Sequence, residues 1–302
     1  MKALIFYTIL IFGSVQSACK PNKTLDCIVF IGQSNTSAWG DYSKTSQSFK
    51  DEIKSLQNEI LYCDRFKNKI RSLYPQRRSS KKYLNLLNFK SNLSFHPVFS
   101  FSAKMKNHYK NEKLLIINMT TVGSSLQGIW NPNWDEKKAK QIPREFNNRA
   151  KSELKMYDAT IDKINFCETY AKSIGYDRIN LVGVILLGGE KDSMFEVTTN
   201  SYKKTLTQLI LKLRSDLSND KLPFIIQQTN CRLFPFTNKI SLDQMEVSKT
   251  MDYVEILETR SAIGRQKFTK YSDNIHYDTN GVINLGYGLY EELKPYLIQN
   301  GI

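Results

Sequence analysis

A serine hydroxyl attacks esters poorly near neutral pH and needs a base within hydrogen-bond reach, most often histidine. The chain offers three histidines, His96, His108 and His276. His108 stands among Lys104, Lys106 and Lys110 on an expected exposed helix face with no carboxylate to orient it, and His96 precedes Pro97 in an expected polar loop. His276 has an acid, Asp273, three residues before it. On a turn, that spacing lets the carboxylate accept the Nδ1 proton and fix the tautomer whose Nε2 is a base. The matching nucleophile is Ser34, in Ile28-Val29-Phe30-Ile31-Gly32-Gln33-Ser34-Asn35, where an apolar run stops at a glycine and delivers a serine. Such a run suits a strand covered on both faces, and open α/β sheets bind ligands just past the carboxyl ends of such strands. Taken without its surroundings, Ser34 reads more readily as the cap of a following helix, and a lone Asp-x-x-His is more often an exposed ion pair.

The wider pattern bears on this choice. Gly32-Gln33-Ser34-Asn35 resembles the first block of the SGNH hydrolases, specifically the sialate O-acetylesterase-like carbohydrate esterases. Further segments follow in that family's order: Gly123-Ser124-Ser125-Leu126 with Trp130, then Gly189-Glu190-Lys191-Asp192, then Asp273-Asn274-Ile275-His276 with Gly281 and Gly286. The resemblance implies a Ser34, His276 and Asp273 triad, with an oxyanion hole made by the backbone amides of Ser34 and Gly123. It implies supporting or substrate-binding positions at Gln33, Asn35, Glu190 and Trp130, and neither metal nor cofactor. Glu190 would either fix its loop or compete with Asp273 for His276, unless it is simply a carboxylate at a helix start. All three tryptophans, Trp39, Trp130 and Trp134, follow the first two blocks, and sugar rings pack on such faces. The implied activity is removal of O-acetyl groups from a carbohydrate, with sialic acid as a candidate.

One position departs from the family. A side-chain amide is implied just before the Gly-Glu of the third block as another oxyanion donor, and this chain has Gly188 there. Losing one such donor lowers turnover about 100- to 1000-fold, against accelerations that commonly exceed about a million-fold. An intact triad would survive that loss as a slower enzyme, with Asn118 or the Gly188 amide as possible substitutes. The alternative is a catalytically weakened or silent glycan-binding protein on the same scaffold.

These residues need strands to deliver them to one edge. The apolar segments 28–31, 114–119, 179–187, 224–228 and 254–257 read as five strands, and helical spacing marks 50–62, 95–105, 159–174 and 202–213. The alternation predicts a mostly parallel five-stranded sheet with helices on both faces. The resemblance implies the three-layer flavodoxin-like (SGNH) form of this α/β class.

Residues 1–17 read as a signal peptide, with Met1 and Lys2 before the apolar run 3–12 and small residues around Val15-Gln16-Ser17. That run is shorter than the roughly 20 residues that span a bilayer. The expectation is a secreted chain without stable membrane insertion, with 18–302 as one domain. Cys19, Cys27, Cys63, Cys167 and Cys231 show no metal-ligand spacing, and in an exported chain they predict one or two disulfides. Asn-x-Ser/Thr sequons occur at Asn22, Asn35, Asn92 and Asn118; those at Asn35 and Asn118 fall at the site or at a buried strand end. The net charge is +14. Its densest basic stretch, 65–82, superficially resembles a nucleic-acid patch. Secretion argues against nucleic acid as the partner and leaves a solvated face or attraction to acidic glycans.

Overall fold

The computed structural model describes residues 23–77, 89, 92–109, 112–139, 142 and 154–299. The expected signal peptide, Cys19, the Asn22 sequon and the basic cluster at 78–82 lie outside them. In chain order the elements used below are β1 (Thr24–Gly32), β2 (Gly40–Asp41), α1 (Gln47–Leu56), β3 (Ile60–Asp64), β4 (Arg71–Ser72), β5 (Gln76–Arg77), β6 (Leu93–Phe95) and α2 (Val98–Met105). They continue with β7 (Leu114–Thr120), α3 (Met156–Ser173), β8 (Arg178–Leu187), α4 (Glu196–Asp216), β9 (Phe224–Gln227), α5 (Thr237–Thr250), β10 (Val254–Leu257), α6 (Ala262–Lys267) and α7 (Thr279–Gln299).

Seven strands form the central sheet in the order β10-β9-β8-β1-β7-β3-β4, with β4 antiparallel to β3 and the other pairs parallel. The five strands expected from the sequence are β1, β7, β8, β9 and β10, and their order β7-β1-β8-β9-β10 is the flavodoxin-like arrangement. The sheet is larger than expected because β3 and β4 extend it beyond β7. Helical spacing over 50–62 holds only to Leu56; Glu59 N then donates to Leu56 O at 3.0 Å, and the chain enters β3. Ile60 and Leu61 fit a helix by spacing, but pairing with Leu114 and Leu115 of β7 overrides local preference.

Alternation along β1 divides the core. Ile28 and Phe30 face the layer of α1, α2 and α7, while Leu25, Cys27, Val29 and Ile31 face α3, α4 and α5. A sheet apolar on both faces needs both layers, which is why β1 is almost continuously buried. A small antiparallel sheet, β2-β6-β5, lies apart from it. Cys27, Cys63, Cys167 and Cys231 are buried free thiols, so the disulfides expected of an exported chain are not formed among them; they pack as small apolar groups. Among the described residues no helix is long and apolar enough to cross a membrane.

Candidate active site

The site begins where β1 meets β8. A Cβ on Gly32, whose φ is +139°, would lie 2.0 Å from Leu187 O, so glycine is required for the chain to turn there. Gln33 N donates to Leu187 O at 2.8 Å, Thr36 Oγ1 donates to Gln33 O at 2.7 Å, and Ser37 N donates to Ser34 O at 2.8 Å. These bonds close a short 3₁₀ turn over Ser34–Thr36, with Gln33 rather than Ser34 at its cap.

The loop before α7 supplies the other half. Asp273 Oδ1 accepts from the backbone amides of Ile275 (2.9 Å) and His276 (3.0 Å), and Oδ2 lies 2.6 Å from His276 Nδ1. His276 Nε2 lies 3.0 Å from Ser34 Oγ. Burial opposes the Asp273 carboxylate, but the hydrogen bonds from the His276 ring and the two amides outweigh it and hold its pKa below the usual carboxylate value. With Asp273 ionised and holding Nδ1–H, Nε2 can take a proton from the serine.

Trp39 braces both halves, a role the sequence did not disclose. Its indole stacks on the His276 ring at 3.8 Å and 25°, its Nε1 donates to Ser34 O at 2.6 Å, and its carbonyl accepts from Tyr271 Oη at 2.9 Å. Position alone, five residues past the serine, was the available signal. Trp130 behaves differently. It is 2% exposed and donates from Nε1 to Ser124 Oγ at 2.8 Å, so it holds the Gly123 loop from inside and offers no face to a sugar.

Asn35 stitches the serine turn to the histidine loop. Its Nδ2 donates to Glu190 Oε1 (2.7 Å) and Ile275 O (3.3 Å), and its Oδ1 accepts from Tyr277 N (3.4 Å). Glu190 thus fixes Asn35 and does not compete for His276. Asp192 Oδ1 accepts from Leu126 N at 2.9 Å and ties the third block to the second.

Around the expected oxyanion position, Asn118 does not substitute for a missing amide. Its Nδ2 donates to Tyr62 Oη at 3.2 Å and its Oδ1 accepts from Thr120 Oγ1 at 2.6 Å. Gly188 has no left-handed φ; that conformation belongs to Gly189, at +119°. A Cβ on Gly188 would stand 3.3 Å from Gln33 Nε2, so the carboxamide of Gln33 occupies space that a side chain at 188 would enter. Gln33 Oε1 accepts from Lys191 N at 3.2 Å, which turns Nε2 the other way.

The other histidines lie elsewhere than expected. His108 sits past the end of α2, with Nε2 2.7 Å from Tyr290 Oη. His96 is not in a polar loop: it is 1% exposed, stacked against Tyr62, and neither ring nitrogen has a hydrogen-bond partner.

The family described as carbohydrate esterase, sialic acid-specific acetylesterase, matches residues 24–294. The chain belongs to this carbohydrate esterase family. As its members are, it is a carboxylic ester hydrolase acting on acetylated carbohydrate. Solved structures share the fold. A protein of Arabidopsis thaliana superposes with a TM-score of 0.62 at 15% identity, over 91% of this chain and 99% of that one. NanS gives 0.59 at 13% identity, over 92% and 99%. A carbohydrate acetylesterase of Xanthomonas citri gives 0.57 at 15% identity, over 92% of the esterase chain but 57% of its own. No curated protein sequence matches the chain.

Proposed function

We propose that this carbohydrate esterase removes O-acetyl groups by a Ser-His-Asp mechanism, acts after secretion, and takes an acidic sugar of the sialic acid type. The observation that carries the mechanism is the unbroken chain from Ser34 Oγ through the His276 ring to Asp273, with links of 3.0 and 2.6 Å. Ser34 Oγ attacks the acetyl carbonyl while Nε2 takes its proton. The resulting oxyanion is received by the amides of Ser34 and Gly123, with Gln33 Nε2 as the third donor in place of the side chain that Gly188 lacks. Collapse expels the sugar oxygen, which takes the proton back from Nε2, and water repeats the sequence to release acetate from Ser34. The net charge of +14 favours an acidic glycan over a neutral one.

The experiment is acetate release from O-acetylated sialic acid and from an acetylated neutral sugar by the purified protein, beside Ser34→Ala. Hydrolysis by the wild type and none by the variant supports the mechanism. Equal rates in both reject it. Binding without turnover in either protein supports the alternative, a silent glycan-binding protein, for which the glycine at 188 is the argument.

A further inference from the structure

Three of the buried thiols lie on one side of the sheet. Cys27, Cys63 and Cys167 all belong to the core beneath α3, α4 and α5. Cys63 reaches it because alternation along β3 sends its neighbour Tyr62 to the opposite face. Cys167 stands one turn along α3 from Lys163, and both are on the buried face of that helix. The two segments meet at one carbonyl: Lys67 O lies 4.0 Å from Cys63 Sγ and accepts from Lys163 Nζ at 3.0 Å. Cys63 and Cys167 complete the contact by hydrogen-bonding to each other. That bond, with the Lys163 ammonium nearby, holds Cys63 below the ordinary thiol pKa, whereas the same bond and burial push Cys167 up. Cys63 has no other thiol on its sheet within reach. β1, which carries Cys27, stands two strands from β3, or about 10 Å at the usual separation, and β9, which leads to Cys231, stands four strands away. A disulfide spans Cα atoms up to about 7 Å apart.

We propose that Cys63 and Cys167 are the cross-linking site of the exported protein, where a disulfide fastens β3 to α3. The inference rests on the secretion proposed above, because thiols stay reduced in the cytosol and are oxidised outside it. The step is exchange with a small disulfide oxidant such as oxidised glutathione. The Cys63 thiolate attacks one oxidant sulfur, the oxidant S–S bond breaks, and the first thiol leaves. Cys167 then gives up its proton, attacks Cys63 Sγ in the mixed disulfide and expels the second thiol. Two electrons and two protons pass from the pair to the oxidant. Both cysteines are fully buried in the folded chain, so the exchange takes place while the α3 layer is still closing over the sheet. The bond ties positions about 100 residues apart, which removes freedom from the unfolded chain. It also anchors the side of the sheet that β3 and β4 extend beyond β7.

The test refolds the denatured chain in a mixture of reduced and oxidised glutathione, alkylates the remaining thiols in denaturant, and maps linked peptides by mass spectrometry without reduction. The expected map is one Cys63–Cys167 link, with Cys27 and Cys231 alkylated. Alkylated Cys63 and Cys167, or a link from either to Cys19, Cys27 or Cys231, overturns the proposal. Because refolding supplies the oxidant, the map is decided whether or not the chain is exported, and export is read separately from the appearance of the protein outside the cells that make it. Thermal unfolding gives a second reading. The midpoint of the chain refolded in glutathione is expected about 5 to 15 °C above that of the chain refolded in dithiothreitol. The difference is expected to vanish in Cys63→Ala and in Cys167→Ala. Equal midpoints in the wild type, or a difference that survives in both variants, overturns the clamp. Where an alanine variant fails to fold, the peptide map and the two wild-type midpoints decide.

Discussion

His276 lies part-exposed between Asp273 at 2.6 Å and Ser34 at 3.0 Å, whereas His96, two strands across the same sheet edge, is 1% exposed and has no partner. In the proposed mechanism the first is the base, because a carboxylate lies at one ring nitrogen to fix its tautomer and a hydroxyl at the other. The second is inert as a base because burial keeps it neutral down to about pH 3. An imidazole at a ligand-binding edge is therefore defined by what faces its two nitrogens, not by its proximity to the nucleophile.

The largest effects test the His276 side. Ser34→Ala and His276→Ala are each expected to lower kcat about a million-fold, and the double variant is expected to be little worse, since such groups act as a unit. Initial rates on a small acetyl ester check this. Rates of the two single variants that multiply in the double would show independent roles. Asp273→Asn is expected to cost about 10⁴-fold, because an amide can stabilise the wrong tautomer. The pH profile sharpens the same point. Asp273 is held ionised, so kcat/KM of the wild type is expected to fall on acidification about tenfold per pH unit, with the slope of a single proton. A flat profile from about pH 5 to 8 would count against a histidine base.

The next effect concerns Gln33, the third oxyanion donor of the proposed mechanism. Gln33→Ala is expected to lower kcat about 100- to 1000-fold. Gly188→Gln, by contrast, is expected to give no gain, because its side chain would start 3.3 Å from the Gln33 amide that already stands there. A large gain in Gly188→Gln with no loss in Gln33→Ala would assign the vacant donor position to residue 188. The neighbouring Gly189 cannot serve in this comparison. Its φ of +119° and a Cβ position 2.3 Å from Thr229 Oγ1 make any side chain there a folding defect.

The parts of this site that sequence disclosed are the locally encoded ones. Asp273 and His276 form their hydrogen bonds within one turn, so their spacing alone carries the geometry. Five strands were legible as apolar runs ending in glycine or polar residues. β3 was not, because Ile60 and Leu61 continue the spacing of α1 and only pairing with β7, some fifty residues away, decides otherwise. Glu190 was ambiguous for the same reason: its partner Asn35 is 155 positions earlier in the chain. Trp39 as a brace and His96 as a buried ring are likewise products of packing between distant segments, which no window of sequence contains.

The smallest effect is on stability, and it isolates His96. In the unfolded chain a histidine takes up a proton at its ordinary value of about 6.5, but in the folded protein His96 does so only at about 3. Between these values the unfolded state binds more protons, so stability falls as the pH falls. The penalty from this residue is absent above about pH 6.5 and reaches roughly 3 kcal/mol at pH 4. His96→Phe removes it. Phenylalanine changes packing as well, but that offset does not vary with pH and drops out when the two unfolding curves are compared across pH. Denaturant unfolding of both proteins from about pH 7 to 4 is expected to show the variant gaining on the wild type as the pH falls. Parallel curves would mean that His96 takes up a proton in the folded protein as readily as in the unfolded one, and burial would then not be what keeps it neutral.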